Sequence, residues 1–327
     1  MEAIPPPVLF FALGAFAAAV RSDLALPDAL AKALSLYLMV AIGLKGGFAL
    51  AAPGASVGLL PALALGVSLS FLLPVPAFAA LRAATGLDRA TAAAVAGHYG
   101  SVSVVTFAAA TQAVNAAGMQ PEAFMPAVLA AMEAPAIVTA LLLAGSPAGA
   151  KAPRSTPRLV REVLAGGPVV LLLGSMAIGW AGGAPAKAQL LPFAEALFPG
   201  ALCLFLLEMG LVATRQLRAA IEARRRSPEA ARALDPRLLA FALLMPLFGA
   251  AVGIGAGLGI GLSVGGVALM GTMAASASYI AVPAAMRLAL PQADAGVYLT
   301  LSVAVTFPFN IALGIPLYVA MARFWAG

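Results

Sequence analysis

Two clusters of small and hydroxylated residues are the positions at which this sequence could do chemistry. They lie in TAAAVAGHYGSVSVVTFAAATQAV (91–114) and in LMGTMAASASYIAVPAAMRLALP (269–291). Hydroxyl and carbonyl oxygens can hold a sodium ion, and the backbone N–H groups at the start of a helix can bind an anion. Small residues also pack helices together, so two such clusters are stronger evidence than any single member. The candidate solute-binding residues are Gly100, Ser101, Ser103, Thr106, Ser276, Ser278 and Tyr279.

Glu133 places a carboxylate inside an apolar stretch, two residues before Pro135. A charge there is costly enough to require a coupling ion or a proton, and a structural hydrogen bond is the alternative role. His98, the only histidine, is either a titrating group beside the first cluster or a packing residue. The predicted ion-coupling set combines the carboxylate of Glu133 with the hydroxyls of Ser103, Thr106 and Ser278.

Patterns of catalysis and of cofactor binding are missing from the sequence. The single cysteine, Cys203, excludes a disulfide within the chain, and one histidine excludes a multi-histidine metal centre. The sequence contains neither H-E-x-x-H nor a P-loop, and its glycine-rich stretch 249–261 contains no G-x-G-x-x-G. We therefore expect no enzyme and no cofactor other than a coupling ion.

The elements that position the two clusters must be membrane helices. Hydrophobic residues make up 62% of the 327 residues and charged residues only 10%, with a mean hydropathy of +1.01. A soluble domain has about 45–50% apolar residues, and one membrane span takes about 20. Pro74 and Pro76 predict a kink in the third apolar stretch. The ten predicted spans lie near 7–20, 29–50, 57–81, 90–112, 122–145, 162–182, 190–213, 238–261, 265–289 and 296–322.

The positions of the basic residues set the predicted orientation. The chain has 19 Lys and Arg residues. A ten-span topology places all of them on one side of the membrane except Lys45, Lys187 and Arg323, which lie on the other. Such an excess marks the cytoplasmic side. The sequence thus predicts a bacterial inner (plasma) membrane protein with both termini periplasmic or extracellular and a basic cytoplasmic loop at 214–237. The net charge of +6 is then a topology signal, and lipid rather than nucleic acid is the expected partner.

The two clusters also belong to an internal repeat. In each half, a span rich in small residues precedes an acidic turn and a span that a proline breaks, Pro135 or Pro308. Gly43 and Gly210 align in earlier spans of the two halves. Five spans per unit is an odd number, so the second unit is inserted upside down. We predict an all-α integral membrane protein of about ten transmembrane helices, in two inverted five-helix repeats with two broken helices crossing at mid-membrane.

The predicted organisation has three parts. Residues 1–145 (spans 1–5) form the first inverted repeat, 146–161 a cytoplasmic linker and 162–327 (spans 6–10) the second repeat. Loose backbone within lipid would leave N–H and C=O groups unpaired, which is strongly unfavourable. The broken helices must therefore face protein or a water-filled cavity, and this marks them as the solute site.

Several blocks of the sequence resemble the sodium-dependent bicarbonate transporter family, best known from cyanobacteria. The resemblance implies a trimer whose protomers each have a gate domain (spans 1, 2, 6 and 7) and a core domain (spans 3–5 and 8–10). It also implies sodium-coupled uptake of bicarbonate by an elevator-like mechanism. The matching blocks are IGLKGGFAL (42–50), GHYGSVSVVTFAAA (97–110), MEAPAIVTA (132–140), AASASYIAVPAAMR (274–287) and IPLY (315–318).

The resemblance carries over to individual positions. The family pattern is kept at Gly100, Ser103, Thr106, Ser276 and Ser278, and Glu133 stands where the family usually has an Asp. The sequence departs from that pattern at Val104, Val105, Tyr279, Ala281 and Val282, which replace polar or small residues. Cyanobacterial members are regulated by a PII-like protein, but the connector 146–161 lacks their long polar insertion, which argues against this partner here.

The sequence therefore predicts a secondary transporter, with sodium-coupled symport of bicarbonate or another small anion as the first hypothesis. A transporter of a different organic solute or carboxylate is the alternative that the apolar replacements favour. A membrane receptor or regulatory subunit that keeps the fold without transport is a third hypothesis. An intramembrane enzyme is disfavoured, because the catalytic patterns are missing.

Overall fold

The computed structural model describes residues 5–52, 57–145, 167–226, 229–279 and 281–326. All regular elements within these ranges are helical. The predicted linker 146–161 and the residues that follow it up to 166 lie outside the described residues. The first half contains α1 (Pro6–Ala19), α2 (Asp28–Leu50), α3 (Leu59–Leu72), α4 (Pro74–Ala84), α5 (Arg89–Gly100), α6 (Val104–Ala116), α7 (Met125–Ala131) and α8 (Pro135–Ala144).

The second half begins with α9 (Gly167–Leu191), a π-helical turn (Pro192–Ala196) and α10 (Phe198–Arg226). A 3₁₀ turn (Glu229–Leu234) leads into the remaining helices. These are α11 (Pro236–Gly259), α12 (Val264–Ala274), α13 (Ala281–Ala289), α14 (Ala295–Leu299), α15 (Phe307–Phe309) and α16 (Ile315–Ala326), with π-helical turns at Thr300–Thr306 and Asn310–Gly314.

Seven helical stretches of the described chain are long and apolar enough to cross a membrane. One of them, 170–226, covers most of α9 and all of α10, and two shorter apolar helices are Pro6–Ala19 and Val264–Ala274. Gly183, at φ 54°, interrupts the helical geometry of α9 in a conformation that favours glycine. The protein is thus an all-α membrane protein, while ten spans in two inverted repeats stays a prediction.

Helical geometry is lost at both hydroxyl-rich clusters. Ser101 and Ser103, between α5 and α6, have extended backbone angles. The chain likewise leaves α12 after Ala274 and enters α13 at Ala281. A third interruption, at residues 132–134, separates α7 from α8 just before Pro135.

Two sequence predictions need correction. Pro308 does not break its span, because π-helical turns before and after α15 widen the helix around the proline. The region 214–237 is not a simple loop, because α10 continues to Arg226. This stretch is rich in alanine, arginine, glutamine and glutamate, which favour helix. The helix is also held by two hydrogen bonds of 2.7 Å, from the Arg215 side chain to the Leu24 carbonyl and from the Arg218 side chain to the Ala18 carbonyl.

Two tightly packed helix pairs lie beside the broken helices. In one pair, Gly210 of α10 faces the backbone of α1 at Phe11. In the other, Gly43 of α2 faces the backbone of α9 at Leu172. The broken helices form the interior, since every residue of α5 from Thr91 to Gly100 is buried. The two pairs therefore flank a buried unit that contains both clusters.

Candidate functional site

The two interruptions are hydrogen-bonded to each other. The backbone N–H of Ser103 donates to the Ser276 hydroxyl at 3.1 Å. In return, the backbone N–H of Ser278 donates to the carbonyl of His98 at 2.9 Å. These reciprocal bonds satisfy backbone groups that the broken helices leave unpaired. The structure thus brings the two predicted clusters together although 173 positions separate Ser103 from Ser276.

Local capping explains where the first break ends. The Ser103 hydroxyl accepts a hydrogen bond from the Thr106 N–H at 3.2 Å, which makes Ser103 the N-cap of α6. The helix α13 also begins beside the contact, at Ala281. The partly positive N-terminal ends of α6 and α13 are therefore both close to the crossing, as an anion site requires.

A small enclosed cavity lies at this contact. Its volume is about 10 Å³, counted as the space that the centre of a water molecule can reach. One water molecule or one small ion therefore fits. Bicarbonate is larger than this space. The cavity is lined by Met39, Val102, Ser103, Val104, Glu133, Ser278 and Tyr279.

Glu133 is the only acidic residue among the described residues that line this cavity. It is 5% exposed and lies in the turn between α7 and α8. Its carbonyl accepts a hydrogen bond from the Ser101 hydroxyl at 3.2 Å, which ties this turn to the first break. None of the described residues that line the cavity is basic. An uncompensated carboxylate in a buried site is costly, and a cation or a proton would remove that cost.

The predicted site residues divide into two groups. Ser103, Ser278, Tyr279 and Glu133 line the cavity, and the hydroxyl of Tyr279 is buried with no hydrogen-bond partner among the described residues. The others lie in the surrounding contact and not in the lining: Gly100, Ser101, Thr106 and Ser276. Gly100 leaves no space for a side chain beside the Pro74 ring, and the Ser276 hydroxyl donates to the Met273 carbonyl at 2.8 Å.

His98 contacts the site through its backbone and not through its ring. Nδ1 lies 2.7 Å from the Ala94 carbonyl, and the ring stacks on Tyr298 with 4.7 Å between the ring centres. Nε2 is buried and has no partner among the described residues. The side chain does not line the cavity. This geometry favours the packing role over the titrating one.

Sequence reasoning missed several residues that support the site. The Ser70 hydroxyl donates to the Met132 carbonyl at 2.7 Å and accepts from the Ala136 N–H at 3.1 Å, which bridges the break between α7 and α8. Asn310 Nδ2 donates to the carbonyl of Ala275, in the second break, at 2.9 Å. A polar amide within an apolar span was a usable signal for Asn310. Met39 had no such signal, because an apolar residue in a span is ordinary.

The donors in the cavity fit a hard cation. A carboxylate and hydroxyls are oxygen ligands, which sodium prefers, and they come from three separate interruptions of the helices. Groups of three or more His, Cys, Asp or Glu side chains that could hold a transition metal do not occur in the described part of the chain.

Comparison with models of protein families identifies one that resembles this chain. The family model described as the Na+-dependent bicarbonate transporter superfamily matches residues 6–323, which is nearly the whole chain. This confirms the resemblance predicted from the sequence. Among curated proteins, none matches the chain.

Proposed function

The chain belongs to the Na+-dependent bicarbonate transporter superfamily, and we propose that it couples the movement of sodium to the uptake of bicarbonate or a similar small anion. Membership and the apolar helices make it a multi-pass membrane transporter. From the family resemblance we further expect a homotrimer, and from the distribution of the basic residues a bacterial inner-membrane protein with both termini outside. The proposal concerns the coupling ion, the solute and the movement.

One observation carries the sodium coupling. Glu133 lines a cavity with room for a single small ion, and none of the described residues that line this cavity with it is basic. A bound sodium ion would offset the cost of the buried charge, and Ser103 and Ser278 supply further oxygen ligands. Protonation of Glu133 is the competing explanation. Sodium dependence distinguishes the two.

The anion cannot share this closed cavity, because the space is too small. A site for it must open beside the crossing when the protein changes conformation. The N-terminal ends of α6 and α13 would then supply the positive potential. We therefore regard the structure as a closed form of the transport site.

The pattern of hydrogen bonds supports an elevator-like movement. We define the gate body as α1, α2, α9 and α10, and the core body as α3–α8 with α11–α16. In the described chain, one side-chain hydrogen bond joins spanning helices of different bodies, from Gln216 Nε2 to Thr300 Oγ1 at 3.3 Å. Apolar contacts such as that of Phe11 with Phe307 also join the two bodies. Apolar contacts are non-directional, so they can be exchanged at little cost when one body slides.

Arginine side chains strengthen each body internally. Arg218 donates to the carbonyl of Ala18 within the gate body. Within the core body, Arg89 donates to Leu143 at 2.7 Å, and Arg323 donates to Ala117 at 2.6 Å. The accepting carbonyls belong to the C-terminal ends of helices, where a positive charge is favourable. These contacts favour two rigid units.

Reciprocal contacts support the inverted repeat. The acidic turn of the first half reaches the start of α12, where Glu122 Oε1 accepts from the Ser263 N–H at 2.6 Å. The acidic turn of the second half reaches the start of α5, where Thr91 Oγ1 accepts from the Asp294 N–H at 3.0 Å. Such an exchange is expected of two units related by a pseudo-twofold axis.

Proteoliposomes loaded with the purified protein test this function. We expect labelled bicarbonate to accumulate when a sodium gradient is imposed, and Glu133→Gln to lower the sodium-dependent rate at least about tenfold. Glu222→Gln, which changes an exposed carboxylate of α10, is the matched control and should keep the wild-type rate. Uptake that ignores sodium in the wild type, or full sodium dependence in Glu133→Gln, would contradict the coupling.

A less polar organic anion is the second candidate, because Val104 and Tyr279 line the cavity where the family pattern has polar or small residues. Competition by a series of short carboxylates against labelled bicarbonate separates the two candidates. Stronger inhibition by longer carboxylates would favour the organic solute. Saturable binding with no flux would favour the receptor hypothesis instead.

A further inference from the structure

A second and larger cavity lies between the two bodies. Its volume is about 260 Å³, far more than that of the cavity at the crossing. One wall comes from α2, the π-helical turn Pro192–Ala196 and the start of α10, and the other from α6, the acidic turn after it and α7. We call this space the outer chamber. Four charged residues line it, namely Lys45, Lys187, Glu122 and Glu195.

Lys45 is the half-buried cation of the outer chamber. Its ammonium lies 5.0 Å from the centre of the Phe198 ring, and it forms no ion pair within 4.0 Å in the described part of the chain. Of the two carboxylates in the lining, Glu122 is already hydrogen-bonded to the start of α12. Glu195 is exposed and acts on Lys45 only at longer range. Lys187, the other cation, is exposed.

The outer chamber is connected to the crossing by one face of α2. Met39 lines the small cavity, while Ile42 and Lys45 line the outer chamber. Residues three apart lie on the same face of a helix, and six residues span about 9 Å of its axis. A solute held at Lys45 would therefore be about two turns of α2 away from the Glu133 cavity.

We propose that the outer chamber is a capture site for a small carboxylate or oxyanion, with Lys45 as the binding residue. The ammonium is partly desolvated and faces space large enough for such an anion, so it attracts negative charge more strongly than a lysine in open water. The captured anion would move along α2 toward the crossing when the core body is displaced. The inference rests on the proposed function in one respect, namely that the anion is the transported solute.

Thiol labelling in detergent tests the outer chamber without any transport. Thr111→Cys, on the opposite wall, is introduced together with Cys203→Ala, and its reaction with an anionic and a cationic methanethiosulfonate reagent is timed. We expect Lys45→Gln to lower the ratio of anionic to cationic rates about 3- to 30-fold. Lys45→Arg should keep the ratio, and Lys187→Gln, which changes the exposed lysine, should change it less than Lys45→Gln does.

A second reporter and a ligand complete the experiment. Asn115→Cys, an exposed position of the same lining, replaces Thr111→Cys if that variant does not fold. Sodium bicarbonate should slow labelling when Lys45 is present and not in Lys45→Gln, with sodium chloride at equal concentration as the control. An unchanged ratio, or no labelling at either position, overturns the outer chamber as a capture site.

Transport kinetics then separate this inference from the proposed function. Lys45→Gln should raise the KM for bicarbonate about 3- to 30-fold and leave the maximal rate nearly unchanged. A charge-dependent labelling ratio in a protein that does not transport bicarbonate would refute the proposed function and keep the capture site. Normal transport with a charge-independent ratio and an unchanged KM would refute the capture site alone.

Discussion

The helix pairs of the gate body are closely packed at several glycines, and Gly43 and Gly210 are two of those at which no side chain fits. A Cβ at Gly43 would lie 2.8 Å from the Ser175 Cβ and close to the carbonyl oxygen of Leu172. A Cβ at Gly210 would overlap the carbonyl oxygen of Phe11 and lie 2.7 Å from the Ala15 nitrogen. Most of these neighbours are backbone atoms, which no rotamer change can move aside. We predict that Gly43→Ala and Gly210→Ala both destabilise the protein.

The expected magnitude is the difference of two effects. Alanine is more favourable than glycine inside a helix by about 0.5–1 kcal/mol, and forcing atoms into a filled contact costs about 1–3 kcal/mol. The net loss for Gly43→Ala or Gly210→Ala is thus about 0.5–2 kcal/mol. The two losses should be similar, because the sequence repeat aligns these glycines and each faces the backbone of a partner helix.

Unfolding of the purified protein in detergent, followed by circular dichroism, measures this loss. Gly174→Ala in α9 and Gly255→Ala in α11 are the matched controls, since a Cβ at either position meets no atom within 4 Å. The controls should keep or raise the unfolding temperature, and the two test variants should lower it. If Gly43→Ala were as stable as Gly174→Ala, the close packing of α2 against α9 would be refuted.

Two further predictions concern hydrogen bonds. Gln216→Leu removes the bond to Thr300, which is worth about 0.5–1.5 kcal/mol, so the equilibrium between transport conformations should shift about 2- to 10-fold. A changed uptake rate in Gln216→Leu checks this, and Gln112→Leu, which should keep the wild-type rate, is the control. Asp88→Ala removes the N-cap of α5 and should cost about 1 kcal/mol in the same unfolding assay. Partial burial raises the pKa of Asp88, but hydrogen bonds from Thr91 and backbone amides hold it below its ordinary value. Its stabilising effect should therefore be complete above pH 4 or so and be lost as the pH falls further, whereas Asp88→Ala should lack this pH dependence.

The sequence predicts the parts of the site whose chemistry is unusual for a membrane span. Hydroxyls and glycine in the two clusters indicate breaks, and a carboxylate beside Pro135 indicates a costly group. The structure brings Ser103, Ser278, Tyr279 and Glu133 to one cavity. Their roles stay predictions until the variants are measured.

Other features depend on tertiary contacts that a single sequence does not display. Pro308 is typical of a break, yet neighbouring π-helical turns allow the helix to continue. The helix α10 extends to Arg226, into the predicted basic loop, because the composition of this stretch favours helix and Arg218 donates a hydrogen bond to the carbonyl of Ala18 in α1. Met39 also lines the cavity, and it comes from a span with no polar signal at that position.

The proposed division into a gate body and a core body also explains how the cavity is closed. Ser103, Glu133 and Ser278 all belong to the core body, and hydrogen bonds between the breaks hold them together as one unit. Met39 is the gate-body residue in the cavity lining. Under the proposed movement, the carboxylate and hydroxyls would travel together while Met39 stays behind, because no hydrogen bond of its side chain ties it to them among the described residues. Displacement of the core body would thereby open the ion site without breaking it, as alternating access requires.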